Sequence, residues 1–371
     1  MVIPLAGRAV AAAIGALLVY AAARSVIGTV IVPRAVGSWL TRWVDKVVNF
    51  SYRALTSKIN DHKRVDRLLA GQAAAILMGQ LVVWVVIFYV GFALLLWPIV
   101  PGGIGLAFSL AGPAVFGPND SLGAGERTLA DLAAIAALVT VTLQIAYLPT
   151  LYSAFNRRET DVSLLNARGG VPSWGPELLA RTHYALGSGA STIDTLPDLY
   201  GQWERWASDV AESHTTYLPL VRFRSPRPMS SWVTALLAVL DSAALYLALS
   251  PKAAPVVPAR LCLRSGFICF AEVARAMGIE VPAEPDPNAG ISLTYDEFLA
   301  AVERMRKVNF PIEREPEDAW PDFVGWRVNY EHAAYGVAYA LDIVPALWSG
   351  PRPRPRPAIP PIRPPEGKPP K

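Results

Sequence analysis

Residues 70–97, AGQAAAILMGQLVVWVVIFYVGFALLLW, decide the fold of this chain because they are apolar almost throughout and carry no charge. The charge-free stretch extends further, from Leu68 to Asn119. A helix needs about 20 mostly apolar residues to cross a bilayer, and residues 70–97 exceed that length. Residues 129–152, LADLAAIAALVTVTLQIAYLPTLY, form a second such stretch with Asp131 as its one charge. We therefore predict an all-α integral membrane protein with spans at both places.

The composition and two further apolar stretches bear on the number of spans. Charged residues make up 17% of the 371 residues, against about 25% in a soluble domain. Residues 9–32 predict a third span, in which Arg24 lies near the inner end and can reach the headgroups. Residues 232–249 are 18 residues long with Asp241 near the middle. We favour a buried helix there; if it spans instead, Asp241 becomes an intramembrane carboxylate that could serve as an ion or proton site.

The distribution of basic residues predicts the orientation of the spans. Residues 33–67 contain eight Lys or Arg against three Asp, whereas Arg127 is the one base in residues 98–128. Arg157 and Arg158 follow the last predicted span. Short basic loops stay in the cytoplasm. We therefore expect a multi-pass plasma-membrane protein with residues 33–67 inside, residues 98–128 outside and the C-terminal region in the cytoplasm.

The basic segment 33–67 has a helical pattern of its own. Apolar residues recur at helical spacing and are punctuated by bases, with Leu40, Trp43, Val44, Val47, Val48 and Leu55 on the apolar side. This pattern is typical of an amphipathic helix on the inner leaflet that touches anionic lipid. A helix packed on the cytoplasmic domain fits the pattern equally well.

The segment between the first two predicted spans is broken and uncharged until its end. Residues 106–120 read LAFSLAGPAVFGPND and contain two Gly–Pro pairs, which end helices. A span, a break and a span, together with AYLPTLYSAFNRRE at 146–159, VSLLNARGGVPS at 162–173 and VPR at 32–34, resemble a group of bacterial two-pore-domain potassium-channel-like membrane proteins. The resemblance covers about residues 30–175 and implies a re-entrant pore loop and a homo-oligomer that conducts monovalent cations.

The selectivity filter is where the sequence departs from such channels. Potassium filters are built from a Thr-Val-Gly-Tyr-Gly loop whose carbonyls coordinate the ion. The nearest match is Ala114-Val115-Phe116-Gly117, which lacks the threonine and the inner glycine. These four residues are the pore-loop candidates. Pro149, about twenty residues into the last span, predicts either a gating hinge or a kink at the lipid interface with no gating role.

The C-terminal region predicts a helical domain. Thr195-Leu-Pro-Asp198 is a helix start, and Thr294-Tyr-Asp-Glu297 is a capping box. Residues 319–341 predict one helix rich in aromatic residues. Residues 351–371 contain ten prolines and predict a disordered, polyproline-like tail.

The predicted organisation is an N-terminal span (1–32), a basic linker (33–67), a span–loop–span unit (68–156), a helical domain (157–350) and the tail. We find no metal-ligand spacing, phosphate loop or nucleophile elbow, so we expect no enzyme, no metal and no cofactor. A net charge of +4 is too scattered for nucleic acid. The expected partners are the lipid bilayer, further copies of the chain and monovalent cations. The function predicted is that of a cation channel-like protein; the alternative is a non-conducting, membrane-anchored scaffold or sensor.

Overall fold

The computed structural model describes residues 5–32, 38–112, 123–183, 192–227, 229–286 and 289–353. Within these ranges the regular elements are all helices, so the predicted all-α fold is confirmed there. The α-helices are α1 (Leu5–Val30), α2 (Trp39–Thr56), α3 (His62–Leu69), α4 (Gln72–Leu96), α5 (Gly103–Ala111), α6 (Ala124–Gly169), α7 (Gly175–Ala180), α8 (Leu196–Thr216), α9 (Trp232–Leu249), α10 (Val256–Ala276), α11 (Tyr295–Arg306), α12 (Pro316–Arg327) and α13 (Glu331–Leu341). Tail residues 354–371 lie outside the described ranges.

The chain divides into two units. The apolar bundle comprises Met1–Ser57 and Gly71–Ser153, and the helical domain comprises Lys58–Ala70 and Ala154–Lys371. Helix α6 contributes to both units, because it begins in the bundle at Ala124 and ends in the helical domain at Gly169. Helix α3 belongs to the helical domain, where the Asp66 carboxylate pairs with Arg224 at 2.7 Å.

Four stretches of the described part of the chain are long and apolar enough to cross a membrane, judged by length and composition. They are Gly7–Val30, Lys63–Leu96, Ala124–Gly169 and Trp232–Leu249. In the first three, only 28%, 33% and 28% of the most apolar window is buried, whereas all of Trp232–Leu249 is buried. Apolar side chains of α1, α4 and α6 therefore remain largely uncovered by protein.

Helices α1 and α4 of the bundle cross closely at two glycines. A Cβ atom built on Gly15 would lie 2.6 Å from the carbonyl oxygen of Gly91. A Cβ atom on Gly91 would lie 2.9 Å from a methyl group of Val19. Only glycine fits at either position, and small residues at a crossing are the usual way in which apolar helices bring their backbones together.

A short chain of hydrogen bonds joins three helices of the bundle. The indole N–H of Trp84 on α4 donates to the Ser25 hydroxyl on α1 at 2.9 Å. The Ser25 hydroxyl lies 2.6 Å from that of Ser38, which caps α2 by accepting from the Thr41 N–H. Trp84 and Ser25 are both buried, so this chain satisfies polar groups inside an apolar environment.

The helical domain is built around α9. All eighteen residues of α9 are buried, and helices α7, α8, α10, α12 and α13 pack against it. Gly175 at the start of α7 allows a close approach to α9, because a Cβ atom there would lie 2.6 Å from the Cβ of Asp241. Gly266 on α10 is similarly covered by Leu240. The structure thus places residues 232–249 as a buried helix inside a protein core.

The local helix signals in this domain are met with one exception. The Thr294–Glu297 capping box is present, and α8 begins directly after Thr195 with its proline in the first turn. The single helix predicted for residues 319–341 is wrong: α12 ends at Arg327 and α13 begins at Glu331. Arg327 at the end of α12 and Tyr330 just before α13 both donate to the buried carboxylate of Asp241.

Candidate functional site

The first feature of functional interest is the turn that reverses the chain after α4. Residues 97–102 connect α4 to α5, and Gly103, the first residue of α5, has φ of +80°. A residue with a side chain rarely adopts this left-handed conformation, so glycine is required for so tight a reversal. The consequence is that the nine-residue helix α5 folds back along the final turns of α4.

Two sets of contacts fix α5 against α4. The Tyr89 hydroxyl donates to the Phe108 carbonyl at 3.1 Å, and the two rings meet edge to face with centroids 5.5 Å apart. Below them lies a buried apolar cluster formed by Ala93, Leu96, Val100, Ala107, Leu110 and Ala111. Alanines at the contact let the two helices pack closely, while Ile104 and Leu106 of α5 are exposed.

The pore-loop candidates follow directly after α5. Ala114, Val115, Phe116 and Gly117 lie outside the described residues, which stop at Gly112 and resume at Gly123. The described flanks are α5 on one side and the start of α6 at Ala124 on the other. The pore-loop assignment of these four residues therefore stays a prediction.

Pro149 lies inside α6, and the helix continues through it to Gly169. Its ring is exposed, while the neighbouring Tyr147 and Leu151 are buried. A proline in a helix leaves one carbonyl of the preceding turn without its usual N–H partner. The hinge role proposed for Pro149 stays a prediction.

The bundle interior contains neutral polar side chains near the middle of α4 and α6. Gln80 and Gln144 are both buried, and the Gln144 amide reaches the Leu77 carbonyl at 3.5 Å. The Oε1 atoms of both glutamines accept no hydrogen bond from the described part of the chain. Buried acceptors of this kind can bind water or a cation, because an unpaired buried oxygen is costly.

Asp241 is the carboxylate that the sequence singled out on α9, and it lies in a buried charged cluster of the helical domain. The Arg327 guanidinium donates to its Oδ1, as does the Tyr330 hydroxyl at 2.8 Å. Arg327 also donates to Glu331 at 2.9 Å, to the Tyr335 hydroxyl and to the Trp348 carbonyl.

The cluster around Arg327 is internally satisfied. The Glu331 carboxylate accepts from the backbone N–H groups of Ser292 and Leu293 as well as from Arg327. Burial is the largest single effect and acts to lower the pKa of Arg327, but Asp241 together with Tyr335, Tyr330 and Glu331 outweighs it and holds that pKa above its ordinary value. The arginine is therefore charged, and the cluster ties α9 to α12 and α13.

Arg158, near the end of α6, forms a second buried cluster. Its side chain is fully buried, and two of its N–H groups donate to Glu159 at 2.9 and 2.8 Å. The other three reach the Leu220 carbonyl at 3.0 Å, the Phe223 carbonyl at 2.7 Å and His214 Nε2 at 2.9 Å. All five donors of the guanidinium are thus used, an arrangement that arginine's planar fork suits and lysine's ammonium does not.

His214 is held neutral by its surroundings. Because Nε2 accepts from Arg158, the proton lies on Nδ1, which is 3.0 Å from the Ser213 hydroxyl. Burial, followed by the positive charge of Arg158, lowers the pKa of His214 well below its usual value. The cluster therefore contains one cation, one carboxylate and one neutral imidazole.

The sequence pointed to some of these residues and missed others. Asp241 stood out because a carboxylate interrupts an apolar helix, whereas Arg158 was interpreted, together with Arg157, as part of a basic membrane flank and Glu159 was assigned no role. Partners distant in sequence, such as His214 and the Leu220 carbonyl, left no local signal. Among the described residues, no group of three or more His, Cys, Asp or Glu side chains is arranged to hold a metal ion.

Comparisons with known proteins add no identification. No protein-family model matches the chain, and neither a curated protein nor a solved structure is measurably similar to it. The resemblance to potassium-channel-like proteins therefore stays a prediction.

Proposed function

We propose that this protein is a channel-like integral membrane protein in which α1, α4 and α6 cross the bilayer and α5 is a re-entrant half-helix. The observation that carries the proposal is the return of α5 along α4, held by Tyr89 and Phe108. A short apolar helix that folds back between two long apolar helices is the arrangement that a pore loop requires. It leads directly into Ala114–Gly117, the segment with the partial filter pattern.

The exposed surface of the bundle supports insertion into lipid. Large apolar side chains on its three long helices are exposed, among them Leu17, Tyr20, Met78, Val82, Val86, Ile135, Leu138 and Ile145. Water is a poor solvent for so large an apolar surface, which on soluble monomers rarely exceeds a few hundred Å². Acyl chains are the solvent that such helices fit.

The charge on the helices around α9 supports three spans over four. Helices α10 and α12, which pack against α9, expose Arg260, Arg264, Glu272, Arg275, Glu317, Asp318 and Asp322. Several charges facing acyl chains would each cost a few kcal/mol. The helical domain therefore suits water, and the basic flanks at residues 33–67 and 157–158 favour the cytoplasmic side.

The proposed permeation path has neutral polar groups and no fixed charge. Residues 112–119 carry no charged side chain, and backbone carbonyls of such a loop, repeated around an axis, could coordinate a dehydrated monovalent cation. One copy supplies one loop, so conduction requires a homo-oligomer. The unpaired oxygens of Gln80 and Gln144 would face the interior of each bundle, as polar groups in membrane helices usually do.

The test is ion flux through the purified protein in proteoliposomes. We expect potassium or sodium flux from the wild type and its loss in Gly117→Ala, because a methyl group there would restrict the loop. Gly105→Ala is the matched control, since a Cβ on Gly105 meets no neighbouring atom. Absence of flux for several monovalent cations, from protein shown to be folded and oligomeric, would overturn the channel proposal.

A second candidate function is a non-conducting, membrane-anchored scaffold or sensor. The observation that favours it is the Arg158 cluster, which fixes the end of a predicted span into the core of a folded domain. In this case the helical domain carries the activity. Proximity labelling in cells should then give a set of neighbours that survives replacement of residues 112–118 and is lost on truncation at residue 156. The opposite pattern would exclude the scaffold.

A further inference from the structure

Helix α2 has one face fixed against the bundle. Leu40 and Val44 are buried, and a Cβ atom on Gly79 of α4 would lie 3.1 Å from a methyl group of Val44. The Gln72 amide on α4 donates to the Asn49 side chain at 3.1 Å. These contacts set the rotation of α2 about its axis, so the direction of every other side chain on it is determined.

A second face of α2 carries an uncovered aromatic stripe. Trp39, Trp43, Val47 and Phe50 follow one another at spacings of four, four and three residues, which places them on one side of a helix. Their exposed fractions are 65%, 54%, 43% and 75%. Single exposed apolar residues are ordinary, but a continuous stripe with two tryptophans marks a surface that contacts something apolar.

The bases of α2 lie beside this stripe. At 100° per residue, Arg42, Lys46 and Arg53 fall within about 60° of its edge, and all three are exposed. The helix holds one acid, Asp45. An aromatic stripe bordered by bases matches the boundary between acyl chains and anionic headgroups, where tryptophan is enriched.

We propose that α2 lies in the headgroup region of the cytoplasmic leaflet, with the stripe Trp39–Trp43–Val47–Phe50 inserted and its bases on anionic phospholipid. The inference rests on the proposed insertion of α1, α4 and α6. Two features select lipid as the occupant: the positive charge beside the stripe, and the packing of α2 against α4, whose own exposed side is apolar. Through Val44 and Gly79, the lipid surface would hold the inner end of α4 in place.

The experiment measures where the stripe lies in the full-length protein. Single nitroxide labels are attached to Phe50→Cys on the stripe, Arg42→Cys on the basic face and Val86→Cys on the exposed side of α4. The native thiols, Cys262 and Cys269, are buried, and burial raises the pKa of each, so they react slowly with the label. Collision with oxygen, which enters lipid, and with a nickel chelate, which stays in water, is compared in phosphatidylcholine vesicles with and without phosphatidylglycerol.

We expect the oxygen-to-nickel collision ratio at position 50 to exceed that at position 42 several-fold, and to rise when phosphatidylglycerol is present. Lys46→Gln with Arg53→Gln should remove that rise. Trp43→Cys provides a second stripe position if Phe50→Cys does not fold.

Three results would overturn the inference. A label at position 50 that is shielded from both reagents would mean that protein covers the stripe. A label there that is open to nickel would mean that the stripe lies in water. An equal oxygen-to-nickel collision ratio with and without phosphatidylglycerol would show that anionic lipid does not bind the bases of α2. Position 86 separates the two proposals. If the label there is also open to nickel, the proposed insertion of the bundle is wrong. If it is accessible to oxygen and not to nickel, the bundle is inserted and the proposed role of α2 alone is wrong.

Discussion

Helices α4 and α9 are similar in composition and opposite in environment. Both are apolar enough to cross a bilayer, yet a third of the apolar window that includes α4 is buried by protein, compared with all of α9. The difference arises from their neighbours, since α9 is enclosed by five helices. Apolar length shows that a helix must leave water, but the neighbours decide whether protein or lipid replaces it.

The same two regions handle polar groups differently. The bundle interior uses neutral hydrogen bonds, such as Trp84 to Ser25 and Gln144 to the Leu77 carbonyl. The helical domain buries full charges at Arg158 and Arg327, each enclosed by acceptors. Four predictions test whether the two regions are stabilised in these different ways.

The largest loss of stability is expected from Arg158→Ala. This change leaves the carboxylate of Glu159 and the Leu220 and Phe223 carbonyls buried without their donor. Breaking a buried, hydrogen-bonded charge cluster in this way costs about 3–5 kcal/mol. Pulse proteolysis across a denaturant series, with cleavage followed in residues 154–353, measures the loss.

The adjacent Arg157→Ala is the matched control for this change. Arg157 pairs with Asp209 at 3.0 Å on the surface, where both side chains are partly exposed. Such pairs contribute about 0–1 kcal/mol. Equal losses for the two variants would contradict a special role for the buried cluster.

The next largest loss of stability is expected in the bundle, from Gly15→Leu. Gly15→Leu places a side chain where the Gly91 carbonyl of α4 already lies. Overpacking of this kind costs about 1–3 kcal/mol, and we expect a lower unfolding temperature of the detergent-solubilised protein. Gly105→Leu should change it little, because that position is open. If Gly15→Leu behaves like Gly105→Leu, α1 and α4 do not cross at these glycines.

A smaller effect depends on pH. The native state keeps His214 neutral because its pKa is lowered by burial and by Arg158, whereas an unfolded histidine has a pKa of about 6.5. The unfolded state therefore binds an extra proton below that pH, and the stability of the helical domain falls as the pH falls. Between pH 7.5 and 5.5 the loss from this residue is about 1 kcal/mol.

The variant His214→Gln isolates this contribution. Glutamine can accept from Arg158 but does not titrate, so the slope of stability against pH should be shallower than in the wild type. The free energy of unfolding of the two proteins, measured across this range, gives the difference. Parallel slopes would show that His214 is not held neutral.

The smallest effect is expected from Trp84→Phe. It removes the hydrogen bond to Ser25 and keeps most of the apolar contact. Hydrogen bonds between membrane helices contribute about 0.6 kcal/mol on average. A double-mutant cycle with Ser25→Ala measures the coupling free energy between Trp84 and Ser25. A coupling of zero would show that this hydrogen bond does not stabilise the bundle.

The apolar helices and the local helix starts could be predicted from the sequence. Little of the buried clusters around Arg158 and Arg327 could be. Residues 70–97 and the Thr294 capping box carry their signals within a few turns of helix. The division of residues 319–341 was missed because the aromatic residues of this stretch continue through the break between α12 and α13. The buried cluster of Arg158 was also missed, because adjacent bases after an apolar stretch are the pattern of a membrane flank and the partners other than Glu159 lie more than 50 residues away.

Which apolar helices contact lipid and which are covered by protein can be measured directly. The full-length protein in bilayers would be photolabelled with a diazirine that partitions into the acyl chains, and the adducts mapped by mass spectrometry. We expect adducts on exposed positions of α1, α4 and α6, such as Leu17, Val86 and Leu138, and none on α9. Adducts along α9, or their absence from α4 and α6, would contradict the account.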